Sequence, residues 1–299
     1  MFKSFLGGIH PHDGKELAKD QPIEAMPVPQ QLVVPMSQHI GAPCAPTVKV
    51  GDVVKRGQLI GTSPAFMHAD IHAPVSGKVI KIEDRPHSGR ISCPSVVIES
   101  DGEDVWADGL PLDRDWMAMA NEDILGAIQS AGIVGMGGAT FPAHIKLKPA
   151  KPVDILILNG AECEPYLTAD YRLMLEESGK IVTGTQILAR ILGVERSVIG
   201  IEDNKPEAIR AMQQACEGTG VEVAALRTKY PQGAEKMLIK VVAGREVPMG
   251  GLPMDVGAVV QNVGTVAAIT DAVCHGLPLT ERVTTVSGDA VSQPKNLRV

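Results

Sequence analysis

The stretch VDILILNGAECEPY, Val153–Tyr166, decides the fold class. Its aliphatic run lacks the polar alternation of a half-exposed strand and so describes a strand buried on both faces, as in a parallel sheet covered by helices. The run ends at Asn159 and passes straight into GAECEPY, which carries Glu162 and Glu164. Polar groups therefore gather at the carboxyl end of a strand, where open α/β sheets bind ligands.

Downstream, Tyr171–Leu192 has helical spacing with a break near Gly179, and RSVIGIED (Arg196–Asp203) reads as a second strand. KPEAIRAMQQACEG starts a helix, with Asn204 as its cap and Pro206 in its first turn. VEVAAL (Val221–Leu226) is a third strand, and YPQGAEKMLIKVVAG turns into another helix. A helical stretch over Val256–His275 precedes RVTTVSG, which begins a further β unit. This alternation of strand and helix predicts a doubly wound, Rossmann-like α/β fold.

Upstream, NEDILGAIQSAGIVG carries apolar residues at helical spacing, with Asn121 as the expected N-cap and Gly132 just past the end. GIVGMGGATFPAHIKL (Gly132–Leu147) then crowds four glycines into seven residues. Glycine permits positive φ and removes the Cβ, so a ligand can lie against main-chain N–H groups. The spacing matches neither G-x-G-x-x-G nor the phosphate loop ending in G-K-[ST]. On its residues alone the run serves as a tight turn or as a ligand cradle.

The first third reads as short strands. VKVGDVVKRGQLIG (Val48–Gly61) and IHAPVSGKVIKIE (Ile71–Glu83) are two valine-rich halves that resemble the biotinyl/lipoyl-like barrel-sandwich family. In carriers of that family the hairpin between the halves presents a modified lysine. Here the hairpin is SPAFMHAD (Ser63–Asp70), without lysine, so a docking or structural role is expected instead. His68, Asp70 and His72 would share one face of an extended segment, but a turn-and-strand surface explains them better, as it does His10 and His12. No metal site is assigned.

Composition narrows the class. The 299-residue chain is 44% hydrophobic and 21% charged, ordinary for a globular protein, while aromatics at 3% leave the core to Val, Ile, Leu, Ala and Met. A net charge of −7 disfavours nucleic acid as a partner, because phosphate binding needs a basic face. The opening residues carry no long apolar region of a secretory leader, and no window is apolar enough to span a bilayer. Cys44, Cys93, Cys163, Cys216 and Cys274 are widely spaced with no C-x-x-C, so no zinc or iron–sulfur signature is present. Reduced thiols in a cytoplasmic setting are expected.

Five stretches in order, FLGGIHPHDGK (Phe5–Lys15), the glycine run, NGAECEPYLTADYRLM (Asn159–Met174), KYPQGAEKMLI (Lys229–Ile239) and VVQNVGTV (Val259–Val266), resemble RnfC, the C component of the Rnf complex. More distantly they resemble the flavin- and NADH-binding subunit of respiratory complex I. The resemblance implies noncovalent FMN, NADH stacked over it, and electron transfer in a membrane-bound ion-translocating ferredoxin:NAD⁺ oxidoreductase. Partners would be its membrane and iron–sulfur subunits, with this chain peripheral on the cytoplasmic membrane face and soluble when isolated.

It also implies site residues. Gly135, Gly137, Gly138 and Ala139 match the flavin-cradling loop, and Lys146 a lysine beside the flavin. Asn159 and Glu162 match polar contacts to flavin edges, Tyr230 and Gly233 a second wall of the site, and Asn262 and Thr265 the loop that holds the flavin phosphate. Phe141 matches an aromatic stacked near NADH, and Glu164 and Glu235 match carboxylates facing the dinucleotide. No catalytic acid or base is implied. Met136, Thr140, Cys163 and Ala234 depart from the complex I pattern, where an arginine, two glycines and an acid stand; loss of the acid at Ala234 implies looser NADH orientation.

The implied organisation is an N-terminal segment (1–26), a barrel-sandwich domain (27–105), a Rossmann-like FMN/NADH domain (106–277) and the beginning of a β-grasp domain (278–299). Family members continue into a region binding two [4Fe–4S] clusters, for which this chain has no ligands. Two other readings are a cofactor-free scaffold like the A component of the sodium-pumping NADH:quinone reductase and a biotinyl-like binding module fused to an α/β domain. The intact glycine loop with Glu164 and Glu235 favours the flavin reading over the first, and the missing hairpin lysine disfavours the second.

Overall fold

The computed structural model describes residues 3–299. In chain order, β1 (Ile23–Ala25) is followed by seven strands, β2 (Gln31–Pro35), β3 (Ala45–Pro46), β4 (Val53–Val54), β5 (Leu59–Thr62), β6 (Ile71–His72), β7 (Gly77–His87) and β8 (Arg90–Ser100). Then come helices α1 (Asn121–Ser130) and α2 (Ala143–Lys146), β9 (Ile155–Gly160), α3 (Ala169–Glu176), α4 (Ser178–Leu192) and β10 (Arg196–Glu202). The chain continues through α5 (Pro206–Ala215), β11 (Val221–Leu226), α6 (Glu235–Ala243), β12 (Ala258–Asn262), α7 (Val263–His275), β13 (Val283–Val286) and β14 (Lys295–Arg298).

Two compact units result. One comprises the residues up to Ala25, Leu147–Thr270 and Arg282–Val299; the other comprises Met26–Lys146 and Asp271–Glu281. The first is α/β. Its sheet has the order β11-β10-β9-β12 with every pair parallel. All four core residues of β9, Ile155–Leu158, are at most 1% exposed. Ile155, Ile157 and Val198 pack with Leu238, Ile239, Val241 and Val242 of α6, so one face is sealed by that helix. The other face meets α3 and α4. A smaller sheet in the same unit pairs β1 in parallel with β14, which is antiparallel to β13.

The second unit contains the expected barrel sandwich. A four-stranded sheet, β2-β8-β7-β4, faces a three-stranded one, β3-β5-β6, around Val34, Met36, Val54, Ile60, Val79, Val96 and Ile98. The hairpin Ser63–Asp70 joins β5 to β6, as the two-halves reading requires.

Several local expectations need correction. Asn121 is the first helical residue of α1 and Ala120 takes the cap position, with no side-chain cap. Likewise Lys205, not Asn204, takes the cap position of α5, again with no side-chain cap, and Pro206 does occupy the first turn. The Val256–His275 stretch is not one helix: Ala258–Asn262 forms edge strand β12, and α7 starts at the next residue. The break between α3 and α4 falls at Glu177, two residues before Gly179.

Gly132 closes α1 by a Schellman turn: its N–H donates to Gln129 O, that of Ile133 donates to Ile128 O, and its φ is +66°. A Cβ there would lie 2.1 Å from Asp70 O. Gly132→Ala should therefore lower stability by about 2 kcal/mol or more, adding steric overlap to the left-handed penalty. Gly126, exposed within α1 with open space around it, should behave oppositely, its Ala variant gaining about 0.5–1 kcal/mol. Urea unfolding of the two variants checks the pair.

Candidate cofactor site at the carboxyl ends of the parallel strands

Leaving β9, the chain makes two turns on L-residues in the left-handed region, Glu162 at φ +49° and Tyr166 at φ +66°. Such backbone persists only where surrounding bonds over-determine it. Asn159 Nδ2 donates to Gly233 O (2.8 Å) while its Oδ1 accepts the Ala161 N–H (3.2 Å). Gly233 N–H donates to Cys163 Sγ (3.3 Å). The loop after β9 and the loop before α6 are thus laced together at Asn159, Cys163 and Gly233. Where the loop enters α3, Thr168 N–H donates to Thr285 Oγ1 (3.0 Å) and Thr168 Oγ1 to the buried Asn296 (3.0 Å).

Glu162 turns inward, away from solvent. Its carboxylate accepts the amides of Asp170 (2.8 Å) and Tyr171 (3.4 Å), placing negative charge at the N-terminus of α3. Burial raises its pKa, against the opposing pull of Lys205 and Lys15. Asp170 stands beside it and is pushed up to about 7, first by burial and then by the charge of Glu162. Asn262 links this acid pair to β12: its Nδ2 donates to Asp170 Oδ2 (2.7 Å). Its Oδ1 accepts the amides of Gly264 (2.9 Å) and Thr265 (3.2 Å), capping α7. Thr265 itself is fully buried.

A second buried group ties the sheet ends from below. Lys205, 2% exposed, donates to Ala161 O (2.7 Å), Asn204 Oδ1 (2.9 Å) and Glu202 Oε2 (3.3 Å). Glu202, 1% exposed, also accepts the Lys229 N–H (3.2 Å). After β11, Tyr230 is exposed. Gln232 is fully buried, and neither atom of its amide has a partner among the described residues. Glu235 begins α6 behind Ala234, which takes the cap position. Glu164 is exposed, with Cys163 Sγ 4.0 Å from its Oε2.

In the barrel-sandwich unit the glycine run forms a loop clasped at its base. Gly135 N–H donates to Phe141 O (2.9 Å) and Ala143 N–H to Ile133 O (2.9 Å). Its tip, Gly137–Ala139, is exposed, and a Cβ on Gly138 (φ +134°) would meet nothing within 4 Å. Thr140 holds φ +47°, where the complex I pattern has glycine; a β-branched residue there is strained. Phe141 and Lys146 are half-buried.

Asn159 and Asn262 thus stand at the carboxyl ends of β9 and β12, Glu162, Glu164, Tyr230 and Gly233 lie in the loops that follow β9 and β11, and Glu235 and Thr265 lie in the first turns of α6 and α7. Gly135, Gly137, Gly138, Ala139, Phe141 and Lys146 belong to the other unit. Sequence reasoning passed over Lys15, Asp170, Lys205 and Gln232, although three of the four lie inside the stretches that carry the resemblance. Among the described residues no group of three or more His, Cys, Asp and Glu is placed to hold a metal. His72 is half-buried and desolvation lowers its pKa to about 4, and Asp70 accepts the Thr62 hydroxyl (2.5 Å).

Residues 128–271 match the family described as the Nuo51 FMN-binding domain, and residues 3–103 the RnfC barrel sandwich hybrid domain. The chain is 60% identical to the C component of the proton-translocating ferredoxin:NAD(+) oxidoreductase complex of Clostridium ljungdahlii, over 100% of this chain and 66% of that protein. It is 48% identical to the Na(+)-translocating counterpart of Acetobacterium woodii, over 99% of this chain and 68% of that one. The chain belongs to the RnfC family. It spans about two thirds of the length of these two Rnf relatives. Its fold is also that of part of an NAD⁺-reducing [NiFe]-hydrogenase, solved in an H₂-reduced state (TM-score 0.56, 24% identity, 62% of this chain and 38% of that one). The air-oxidized state gives a TM-score of 0.52 at 26% identity, over 60% and 36%.

The acid pair makes stability depend on pH in this RnfC fold. A carboxyl whose folded pKa lies above its unfolded value binds more proton in the native state, so its contribution is full below about pH 4 and is lost as pH rises to about 7. Asp170→Asn removes that titration. Its thermal midpoint, compared with the parent's from pH 4 to pH 7, should gain relative stability toward neutrality, on the order of 1 kcal/mol.

Proposed function

We propose that this chain is the NADH- and FMN-binding electron-transfer part of an Rnf-type ion-translocating ferredoxin:NAD⁺ oxidoreductase. The match of residues 128–271 to an FMN-binding domain carries the reading, because it spans both the glycine loop and the three strand-end loops. Two local features fit a bound flavin. The glycine tip exposes main chain with open space where Gly138 lacks a Cβ, and Gln232 keeps a buried amide without a partner among the described residues.

In this reading Gly135, Gly137, Gly138 and Ala139 offer main chain to the flavin, and Lys146 a compensating cation. Asn159, Glu162, Gly233 and Asn262 act mainly as a frame, since their polar atoms are engaged with one another and with helix ends. Tyr230 supplies an exposed ring, and Thr265, fully buried in the first turn of α7 with its amide held by Asn262, belongs to the frame. Phe141 stacks on the nicotinamide nucleotide. Glu164 and Glu235 accept hydrogen bonds from its hydroxyl or carboxamide groups. Bound FMN supplies an acceptor for the hydride of NADH and a donor of single electrons. The protein contributes orientation, worth several kcal/mol of barrier, and no acid or base.

Electrons would leave toward iron–sulfur and membrane partners at the cytoplasmic membrane face. No helix of the described residues is long and apolar enough to cross a membrane, so attachment in this reading runs through partner subunits.

Titration of the purified chain with FMN should give saturable binding, and heating should release the flavin unaltered. Glu164→Gln and Glu235→Gln should each weaken NADH binding about tenfold, the loss of one hydrogen bond to a charged group, and leave FMN content unchanged. A chain that takes up no FMN would be a scaffold instead. Loss of FMN in both variants would move these carboxylates to the flavin.

A further inference from the structure

The barrel-sandwich family match begins at residue 3, yet residues 3–25 fold with the α/β unit. Their course is specific. Lys3 lies along the end of β11, its O accepting the Arg227 N–H (2.9 Å). Ile9 and Tyr230 exchange both main-chain hydrogen bonds (2.9 and 2.8 Å). From the opposite side Lys229 Nζ donates to Phe5 O (2.7 Å) and Gly7 O (3.0 Å), and sits 4.4 Å over the Phe5 ring. Further on, Asp13 O accepts the Tyr166 N–H (2.6 Å), and Gly14 lies so close to the Tyr166 ring that a Cβ would be 2.6 Å from Cε1.

Lys15 completes the course. It is 6% exposed and donates to two main-chain carbonyls, Glu164 O (2.9 Å) and Leu167 O (2.5 Å). Those carbonyls bracket Tyr166, the second L-residue of this loop held at positive φ. Burying an ammonium is expensive, and here its bonds lock a strained turn that presents an exposed carboxylate. That is the arrangement by which a supporting residue pre-organises a binding group.

We propose that residues 3–15 form a strap that fixes both nucleotide-facing loops, and that Lys15 is a positioning residue that holds Glu164 for NADH. The proposal rests on the reading of Glu164 as an NADH ligand. It assigns part of the dinucleotide site to a segment far outside the FMN-domain match.

The test compares the parent chain with Lys15→Met and Lys15→Ala, measuring the dissociation constants of NADH and FMN and amide exchange over residues 164–168. Lys15→Met should weaken NADH about tenfold, leave FMN within about twofold, and speed exchange of the loop amides. Lys15 lines a pocket of about 80 Å³ together with Lys205, Tyr171 and Asn204, so propylammonium should restore NADH affinity to Lys15→Ala and not to Lys15→Met. Val198→Ala, a core truncation on β10, controls for lost stability and should leave NADH affinity unchanged. Unaltered NADH affinity in Lys15→Met, or equal losses of NADH and FMN without amine rescue, would overturn the proposal. If the parent chain bound no NADH, the functional reading would fail with it, and the strap would then be judged on exchange alone: unchanged loop amides in Lys15→Met would overturn that too.

Discussion

An ammonium group with almost no access to water fixes the end of the sheet on which the rest depends. Lys205 binds the carbonyl of Ala161 where the chain leaves β9, and it pairs with Glu202 at the last residue of β10. Glu202 in turn holds the main chain of Lys229 where the chain leaves β11. Three strand exits are thereby tied through two buried charges. Removing one partner of such a pair leaves an uncompensated charge and costs about 3–5 kcal/mol, whereas the intact pair adds little stability. Its value lies in where it sets the loops.

Around that anchor the site is built as a frame. Side chains that look like ligand contacts in the sequence are largely occupied with one another. Glu162 holds the start of α3, Asn262 holds the start of α7 and meets Asp170, and Asn159 holds Gly233. What this unit still presents outward is less: Glu164 and Tyr230. The division suits a site whose work is orientation, because freedom removed from the loops in folding need not be removed on binding.

Much of the fold was legible. The aliphatic run at Ile155 lies in β9, because a strand covered on both faces has nothing polar to interrupt it, and the runs at Arg196 and Val221 lie in β10 and in edge strand β11, where the exposed Glu222 breaks the run. β12 was not legible, since only three apolar residues, Ala258–Val260, precede Gln261 and Asn262, and α7 starts at the next residue, so the run is too short to show a period of its own. Motif order proposes candidate site positions, but it does not show the bonds those residues make. A carboxylate such as Glu162 carries no mark in the sequence showing that it turns back onto amides eight and nine residues away. The partnership of Lys15 with Glu164 spans 149 residues, and nothing local foretells it.

The central claim is that these loops hold a flavin where a nicotinamide nucleotide can reduce it. The direct measurement is the absorption spectrum of the FMN-loaded chain, freed of unbound flavin and mixed with NADH without oxygen. The account predicts that the bound flavin bleaches at a rate that saturates with NADH. Flavin bound in stoichiometric amount that keeps its oxidised spectrum at saturating NADH would contradict it.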